Sequence, residues 1–350
     1  MSARYRRQVS LIGTTNQQKL QGAHIAVIGA GGLGSPALLY LAGAGIGRIK
    51  LIDDDVVDQS NLHRQVIHRE DSVGVPKAES AAAQIAALNP EVSVSVVRER
   101  LTWANALALL QGVDVVLDGT DNFDTRHVVS FAAARLGIPH VWGSILGHEA
   151  QMSVFWAGHG PIYEDLFPAP PGVGVVPNCA QAGVLGPVVG VVGSAMAMEA
   201  IKLVTGLGAP LMGQLGYFDS LTGMWEYVPV TGSETVLERV LAEDPPRQAR
   251  VVVAEVDEIP AGATLIDVRE PHEHSAFAIE GSVNVPLPEI LSMDGVPEVV
   301  AGSVDKPGPV VLYCAGGVRS AQAVAALEER GVRGLSSLRG GIDRWLEERA

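Results

Sequence analysis

Between His24 and Leu136, short apolar runs alternate with stretches of helical composition, and nothing else in the chain constrains the fold as strongly. HIAVIGA, from His24, is an apolar run that ends in glycines, and Ser35 to Ala44 has the composition of a helix. RIKLIDDD returns as a strand ending in acid, Lys77 to Leu88 is Ala-rich, and VSVSVV is a strand again. VDVVLDGTDN is a further apolar strand with a polar end, followed by a helix over Asp124 to Leu136. Strands that alternate with helices in this way predict an α/β fold, a mostly parallel, doubly wound sheet with helices on both faces. Such sheets take their ligands beyond the C-terminal strand ends, where the unusual polar residues of this chain collect.

With 350 residues the chain is long enough for two domains. The first is expected over 1–232, Rossmann-like in its opening alternation. Within it, Leu166 to Gly183 is Pro/Gly-rich and reads as a long crossing loop. The apolar stretch from Gly183 to Gly206 carries Glu199 and Lys202, which favours a buried core helix over a membrane span. GQLGYFDSLTGMWEYVPV has the pattern of a hairpin around Ser220–Gly223. The polar run TGSETVLERVLAEDPPRQA places a linker at 233–250. A second, smaller α/β domain is expected over 251–350, with TLIDVRE, SVNVPL and PVVLYC as strands and a helix over Ala321 to Arg330. The net charge of -14 and the lack of a long Lys/Arg run exclude nucleic acid as a partner. Two cysteines make neither a disulfide scaffold nor a four-thiolate zinc site. The opening MSARYRRQVSLIG has no apolar signal core, so a cytoplasmic protein off the membrane is expected.

GAGGLG sets Gly29, Gly31 and Gly34 as G-x-G-x-x-G between a strand and a helix. Glycines there let the backbone approach phosphate, and the helix N-terminus offers free N–H groups. Asp53, ending the next strand, suits a ribose hydroxyl. A nicotinamide dehydrogenase would show the same features, and so would a tight turn that binds nothing. Arg64 and Lys77, with Asp121 and Asn122 capping VDVVLDGT, favour chemistry at the α-phosphate of ATP. That reaction needs cations for the charge on the phosphoryl oxygens and an acid to hold Mg²⁺. Singly, Arg64 and Lys77 fit a solvated face, and Asp121 or Asn122 a helix cap.

RYRRQ, GAGGLG, DDD, SNLHRQ, VGVPKAES, DGTDN and NCAQAGVLGP occur in the order seen in the MoeB/ThiF family of ubiquitin-activating-type adenylyltransferases, which the first 230 residues or so resemble. The resemblance implies that a small ubiquitin-like sulfur-carrier protein ending in Gly-Gly is activated at its terminal carboxylate as an acyl-adenylate. It implies that Gly32, Asp53, Ser60, Asn61, Leu62, His63, Arg64, Lys77, Asp121 and Asn122 contact ATP, with Asp121 as the Mg²⁺ ligand. Arg7, within RYRRQ, matches the arginine that reaches the phosphates of a neighbouring subunit, which implies a homodimer. The family usually holds a structural zinc with two C-x-x-C pairs. Ile162 and Asp165 stand where the first pair would fall and no C-x-x-C follows, so no zinc is expected, with apolar packing in place of the clamp.

Each cysteine has a separate expected role. Cys179 sits in the Pro/Gly-rich loop before a helix start, where a thiolate is favoured and a small buried hydrophobe is the bland alternative. By the resemblance it can link covalently to the activated carrier. Cys314-Ala315-Gly316-Gly317-Val318-Arg319 runs from a strand straight into a helix, a loop whose N–H groups make an anion cradle able to hold a persulfide. Arg319 can fix that loop or meet an anionic sulfur donor. With LIDVRE (Asp267, Arg269) and LRGGIDRW, the last hundred residues resemble a rhodanese domain, whose sulfur-sized C-x-x-G-x-R loop is one residue shorter than that of the related phosphatases. Ala315 replaces the basic residue often found beside the rhodanese cysteine. Together the two halves imply a carrier thiocarboxylate, of use in molybdopterin, thiamine, thio-tRNA or cysteine synthesis. Its sulfur would come from Cys314, loaded by a cysteine desulfurase or by thiosulfate. The alternatives are an activator that conjugates its carrier to proteins through a Cys179 thioester, and a non-catalytic scaffold.

Overall fold

The computed structural model describes residues 3–169, 183–242, 253–293, 295–304, 306, 308–347 and 349. Among these, the residues up to 242 form one compact unit and those from 253 onward form a second.

In the first unit β1 (His24–Ile28), β2 (Arg48–Ile52), β3 (Ser93–Val97), β4 (Val115–Asp118) and β5 (His140–Leu146) are parallel, in the order β3-β2-β1-β4-β5. The sheet continues antiparallel through β6 (Glu149–Phe155), β7 (Gln214–Asp219) and β8 (Met224–Pro229). β1 and β4 are almost wholly buried, which is why they read as continuous apolar runs rather than alternating ones. The sheet is covered on both faces. On one, Leu38 and Leu41 of α2 (Gly34–Ala44), Ile85 of α3 (Lys77–Leu88) and Val192 and Met196 of α7 (Gly186–Thr205) pack on Val27, Leu51 and Leu117. On the other, Leu110 of α4 (Ala106–Leu110) and Val128, Val129 and Ala132 of α5 (Phe123–Leu136) pack on Ile28, Ile52 and Val116. Ile28 pairs with Ile52 on one side and Asp118 on the other, so three strands end at one level. The loops after them, carrying Gly29, Asp53 and Asp121, therefore open onto the same space.

α7 is long and apolar enough to cross a membrane, but half of it is buried within this fold. A Cβ at Gly193 would lie 2.3 Å from the Leu33 carbonyl oxygen, so only glycine lets α7 approach α2 this closely. Its Glu199 is buried, accepts from the Leu211 N–H at 2.8 Å and pairs with Lys202 at 2.6 Å. β7 and β8 form the expected hairpin, with the Asp219 carboxylate accepting from the Leu221 N–H at 2.9 Å. Of the long loop, residues 170–182 lie outside the described residues.

The expected linker is corrected in its first half. Glu234–Ala242 is a helix, α8, and Val236, Leu237 and Val240 on it pack against Ala134, Ala157 and Ile162. The apolar stripe is only three residues wide, so it was lost among the surrounding charges. The Ser233 hydroxyl and carbonyl start the helix, accepting from the N–H groups of Val236 and Leu237.

The second unit is a parallel sheet of β9 (Glu255–Val256), β10 (Thr264–Asp267), β11 (Val283–Asn284), β12 (Val310–Tyr313) and β13 (Leu335–Leu338), in the order β11-β10-β12-β13-β9. Its helices are α9 (Pro271–Ala276), α10 (Leu287–Ser292), α11 (Glu298–Val304), α12 (Val318–Glu329) and α13 (Gly341–Glu347). α12 starts at Val318, three residues before the expected helix, and so abuts the Cys314 loop directly.

Candidate functional site

The cleft at the ends of β1, β2 and β4 is lined by Gly29, Gly31, Gly32, Asp53, Arg64, Lys77, Asp121 and Asn122, so the structure brings these sequence candidates together. The glycine loop is shaped by what a side chain would hit. Gly29 has φ +88°, and a Cβ at Gly34 would lie 1.9 Å from the Gly29 oxygen. At Gly32 a Cβ would crowd Val189 of α7 at 3.1 Å. Asp53 holds the loop to β2: its two carboxylate oxygens accept from the Ala30 N–H at 2.7 Å and the Asp55 N–H at 2.9 Å. Burial pushes the Asp53 carboxyl up, while those two N–H groups work against the rise.

His68 is a second anchor of the same loop, and no motif pointed to it. It is buried, with Nε2 2.9 Å from the Ala30 carbonyl oxygen and Nδ1 2.9 Å from the Ser80 hydroxyl. Burial holds its pKa below the ordinary value, so the ring is neutral. A neutral ring satisfies both contacts when Nε2–H donates to Ala30 and Nδ1 accepts from Ser80.

Ser60, Asn61, Leu62 and His63 do not line the cleft. Gln59–Asn61 is a single 3-10 turn, capped by Asp58 accepting from the Ser60 N–H at 2.7 Å, and it serves to present Arg64. The Arg64 guanidinium donates to the Ser60 carbonyl at 3.0 Å and meets the His63 ring at 2.9 Å. Lys77 is buried at the start of α3 and pairs with the exposed Asp55 at 2.9 Å. The Asn122 side-chain oxygen accepts from the Thr125 N–H at 2.9 Å, which makes Asn122 the N-cap of α5, while Asp121 is exposed at the rim. Arg126 also lines the cleft and was missed by the motif reading. It is buried, donates to the Thr120 carbonyl at 3.1 Å and stacks over Phe123 and Trp142.

In the second unit Cys314 is buried at the end of β12, and its sulfur accepts from the Gly317 N–H at 3.1 Å. Gly317 has φ +90°, and a Cβ there would lie 3.0 Å from the Gly340 nitrogen. A Cβ at Gly341 would lie 2.1 Å from the Ala315 oxygen, so the two glycines of LRGGID pack directly beneath the loop. Ile342 N–H donates to the Cys314 carbonyl at 2.8 Å. Arg319 is held by Glu273 through two bonds of 2.7 and 2.8 Å. Those bonds raise its pKa, burial works against the rise, and the nearby Cys314 adds to it. Asp267 and Arg269 form a separate buried pair, bidentate at 2.6 to 3.1 Å, with His274 on the same carboxylate at 3.0 Å. They support the frame rather than the cysteine.

Residues 5–237 match the ThiF family, and residues 252–348 match the rhodanese-like domain. The chain belongs to the ThiF family. It is 41% identical over 369 residues to the probable adenylyltransferase/sulfurtransferase MoeZ of Mycobacterium tuberculosis, across 99% of this chain and 93% of that one. It is 34% identical over 380 residues to the adenylyltransferase and sulfurtransferase MOCS3-1 of Zea mays, across 99% and 81% respectively. Among solved structures, Escherichia coli MccB with ATP superposes with a TM-score of 0.59 over 67% of this chain and 73% of its own, at 24% identity, a likeness of fold.

Three remaining positions fall as follows in this ThiF-family chain. Arg7 lies exposed on α1 (Arg6–Gly22) and is not part of its own chain's cleft. Cys179 lies outside the described residues. Ile162 and Asp165, at the places of the first zinc cysteine pair, do not fit a zinc ion. Ile162 has no donor atom, and the Asp165 oxygens accept from the N–H groups of Ile162 at 2.8 Å and Ser233 at 3.0 Å. The clamp position is thus filled by hydrogen bonds as well as by the apolar contact of Ile162 with Val240.

Proposed function

We propose that this protein adenylates the C-terminal glycine carboxylate of a small ubiquitin-like sulfur-carrier protein and then passes it sulfur from a persulfide on Cys314. One observation carries the reading: a single chain has both a glycine-walled, cation-lined cleft and a loop that cradles a cysteine sulfur, and it matches 93% and 81% of the length of two relatives named for both activities. In the cleft a carboxylate oxygen of the carrier attacks the α-phosphorus of ATP and pyrophosphate leaves. Arg64, Lys77 and the N–H groups at the start of α2 meet the charge that builds on the phosphoryl oxygens. Asp53 accepts from a ribose hydroxyl on the lone pairs that its two backbone N–H bonds leave open. Asp121, exposed at the rim, would hold Mg²⁺, which would neutralise charge on the triphosphate.

The Cys314 persulfide then attacks the acyl carbon and AMP leaves, so that carrier and Cys314 share an acyl disulfide. Cys179 attacks the Cys314 sulfur, the carrier departs as thiocarboxylate, and an external thiol reduces the disulfide left behind. The enzyme works in the cytoplasm as a homodimer, Arg7 of one copy serving the phosphates of the other. A cysteine desulfurase or thiosulfate reloads Cys314.

Pyrophosphate exchange that requires ATP, Mg²⁺ and a carrier ending in Gly-Gly is the expected signature. Asp121→Ala abolishes it, whereas Cys314→Ala spares exchange and blocks thiocarboxylate formation. Loss of exchange in Cys314→Ala refutes the division of labour, and lack of ATP binding by calorimetry refutes the reading as a whole.

A further inference from the structure

Beneath Cys314 lie two hydroxyls whose protons are outnumbered by their partners. Ser320 and Ser337 are fully buried, with their oxygens 2.8 Å apart. The Ser320 oxygen is also 2.9 Å from the Gly317 carbonyl oxygen and 3.7 Å from the Cys314 sulfur. Ser320 has one proton and three acceptors within reach, the Gly317 carbonyl, the Cys314 sulfur and the Ser337 oxygen. The carbonyl does not depend on it, because Gly317 also accepts from the Ala321 N–H at 3.1 Å, the first bond of α12. Ser337 can donate to the Ser320 oxygen in either setting. The Ser320 proton is therefore free to turn toward sulfur without orphaning any buried group.

We infer that Ser320 is a catalytic residue in the steps that leave Cys314 as thiolate, discharge of its persulfide to a thiol and reduction of its disulfide with Cys179, its hydroxyl swinging from Gly317 to Cys314 when negative charge arrives on the sulfur, with Ser337 positioning it. This rests on the reading of Cys314 as the sulfur carrier. In transfer to a thiol, the acceptor thiolate attacks the outer sulfur of the Cys314 persulfide and the S–S bond breaks. Its electron pair stays on Cys314 as thiolate, and the acceptor leaves as the new persulfide. The negative charge thus appears on the atom that Gly317 N–H and the Ser320 hydroxyl face, and a hydrogen bond to a charged group is worth more than the neutral one it replaces.

Two rates in the full-length protein test this. Alkylation of Cys314, followed on its own peptide by mass spectrometry, reads thiolate reactivity whether or not the protein carries sulfur. Discharge of Cys314 persulfide to a small thiol reads the leaving step. Ser320→Ala is expected to slow both by about tenfold or more, Ser320→Thr to recover most of the loss, and Ser337→Ala to slow both by about threefold. ATP–pyrophosphate exchange is expected to hold in all three. A folded Ser320→Ala protein with wild-type rates overturns the inference, and so does a folded Ser337→Ala protein at wild-type rates if Ser320→Ala fails to fold. Wild-type protein that alkylates at Cys314 but never accepts sulfur refutes the sulfur-carrier reading instead.

Discussion

Replacing His68 by alanine tests the claim that a buried, neutral imidazole holds the glycine loop. The ring makes two bonds of 2.9 Å, to Ala30 and Ser80, and is 5% exposed. Its removal leaves the Ala30 carbonyl with only a weak contact from the Ser35 hydroxyl at 3.4 Å, and leaves the Ser80 hydroxyl without the ring. Each under-satisfied buried group costs about 1–3 kcal/mol, so His68→Ala is expected to cost about 2–6 kcal/mol in all. Because burial depresses the folded pKa of His68, the unfolded chain binds the proton more readily. Its stabilisation is full above the unfolded value of about 6.5 and is lost as pH falls through the lower folded value. The gap between wild type and variant should therefore be widest at pH 7.5 and narrow toward pH 5. Urea unfolding followed by tryptophan fluorescence measures it, since Trp103, Trp142, Trp156 and Trp225 report the first unit and only Trp345 the second. A variant within about 0.5 kcal/mol of wild type, or a gap that widens on acidification, refutes the assigned tautomer and the anchoring role.

Arg64→Ala is expected to lower pyrophosphate exchange by about 10²-fold, with Arg64→Lys recovering only part because a point charge replaces the fork. Gly193→Ala should destabilise the first unit by about 1–3 kcal/mol in urea unfolding, since its Cβ would sit 2.3 Å from the Leu33 oxygen. Asp165→Ala, which frees the N–H groups of Ile162 and Ser233, should cost about 1–3 kcal/mol, while a chelator leaves the melting temperature of the wild type unchanged. A chelator-induced drop would mean that a metal does share that corner.

Period and punctuation carried most of the architecture. The buried parallel strands announce themselves as apolar runs, and the ends of β1, β2 and β4 carry the residues that line the cleft. What escaped was side-chain chemistry that no local pattern encodes. His68 and Arg126 act through the Ala30 and Thr120 carbonyls, and their roles exist only once separate loops are brought together. Glu273 is 46 residues from Arg319, and Ser337 is 17 from Ser320, so spacing offers no hint of either pair. β5 and β6 turn the sheet antiparallel after Leu136, where the alternating pattern stops and no helix separates the strands. Only α8 misled by composition, because three apolar residues suffice to dock a helix whose other faces are charged.

The cleft treats its charged groups in two ways, and the difference fits the triphosphate site proposed above. Asp53 is committed: both oxygens hold backbone N–H groups, and displacing it would release the glycine loop from β2. Lys77 is differently placed, because its ammonium is nearly buried while its partner Asp55 is 69% exposed. A phosphate oxygen could take over the Lys77 ammonium and leave Asp55 to water, which already reaches most of that carboxylate. The ammonium itself never becomes a bare buried charge, which would cost several kcal/mol, on the order estimated for an unpaired buried ion. On the proposed reading, the free protein thus keeps a cation where the phosphates would arrive, held by a carboxylate that water already reaches.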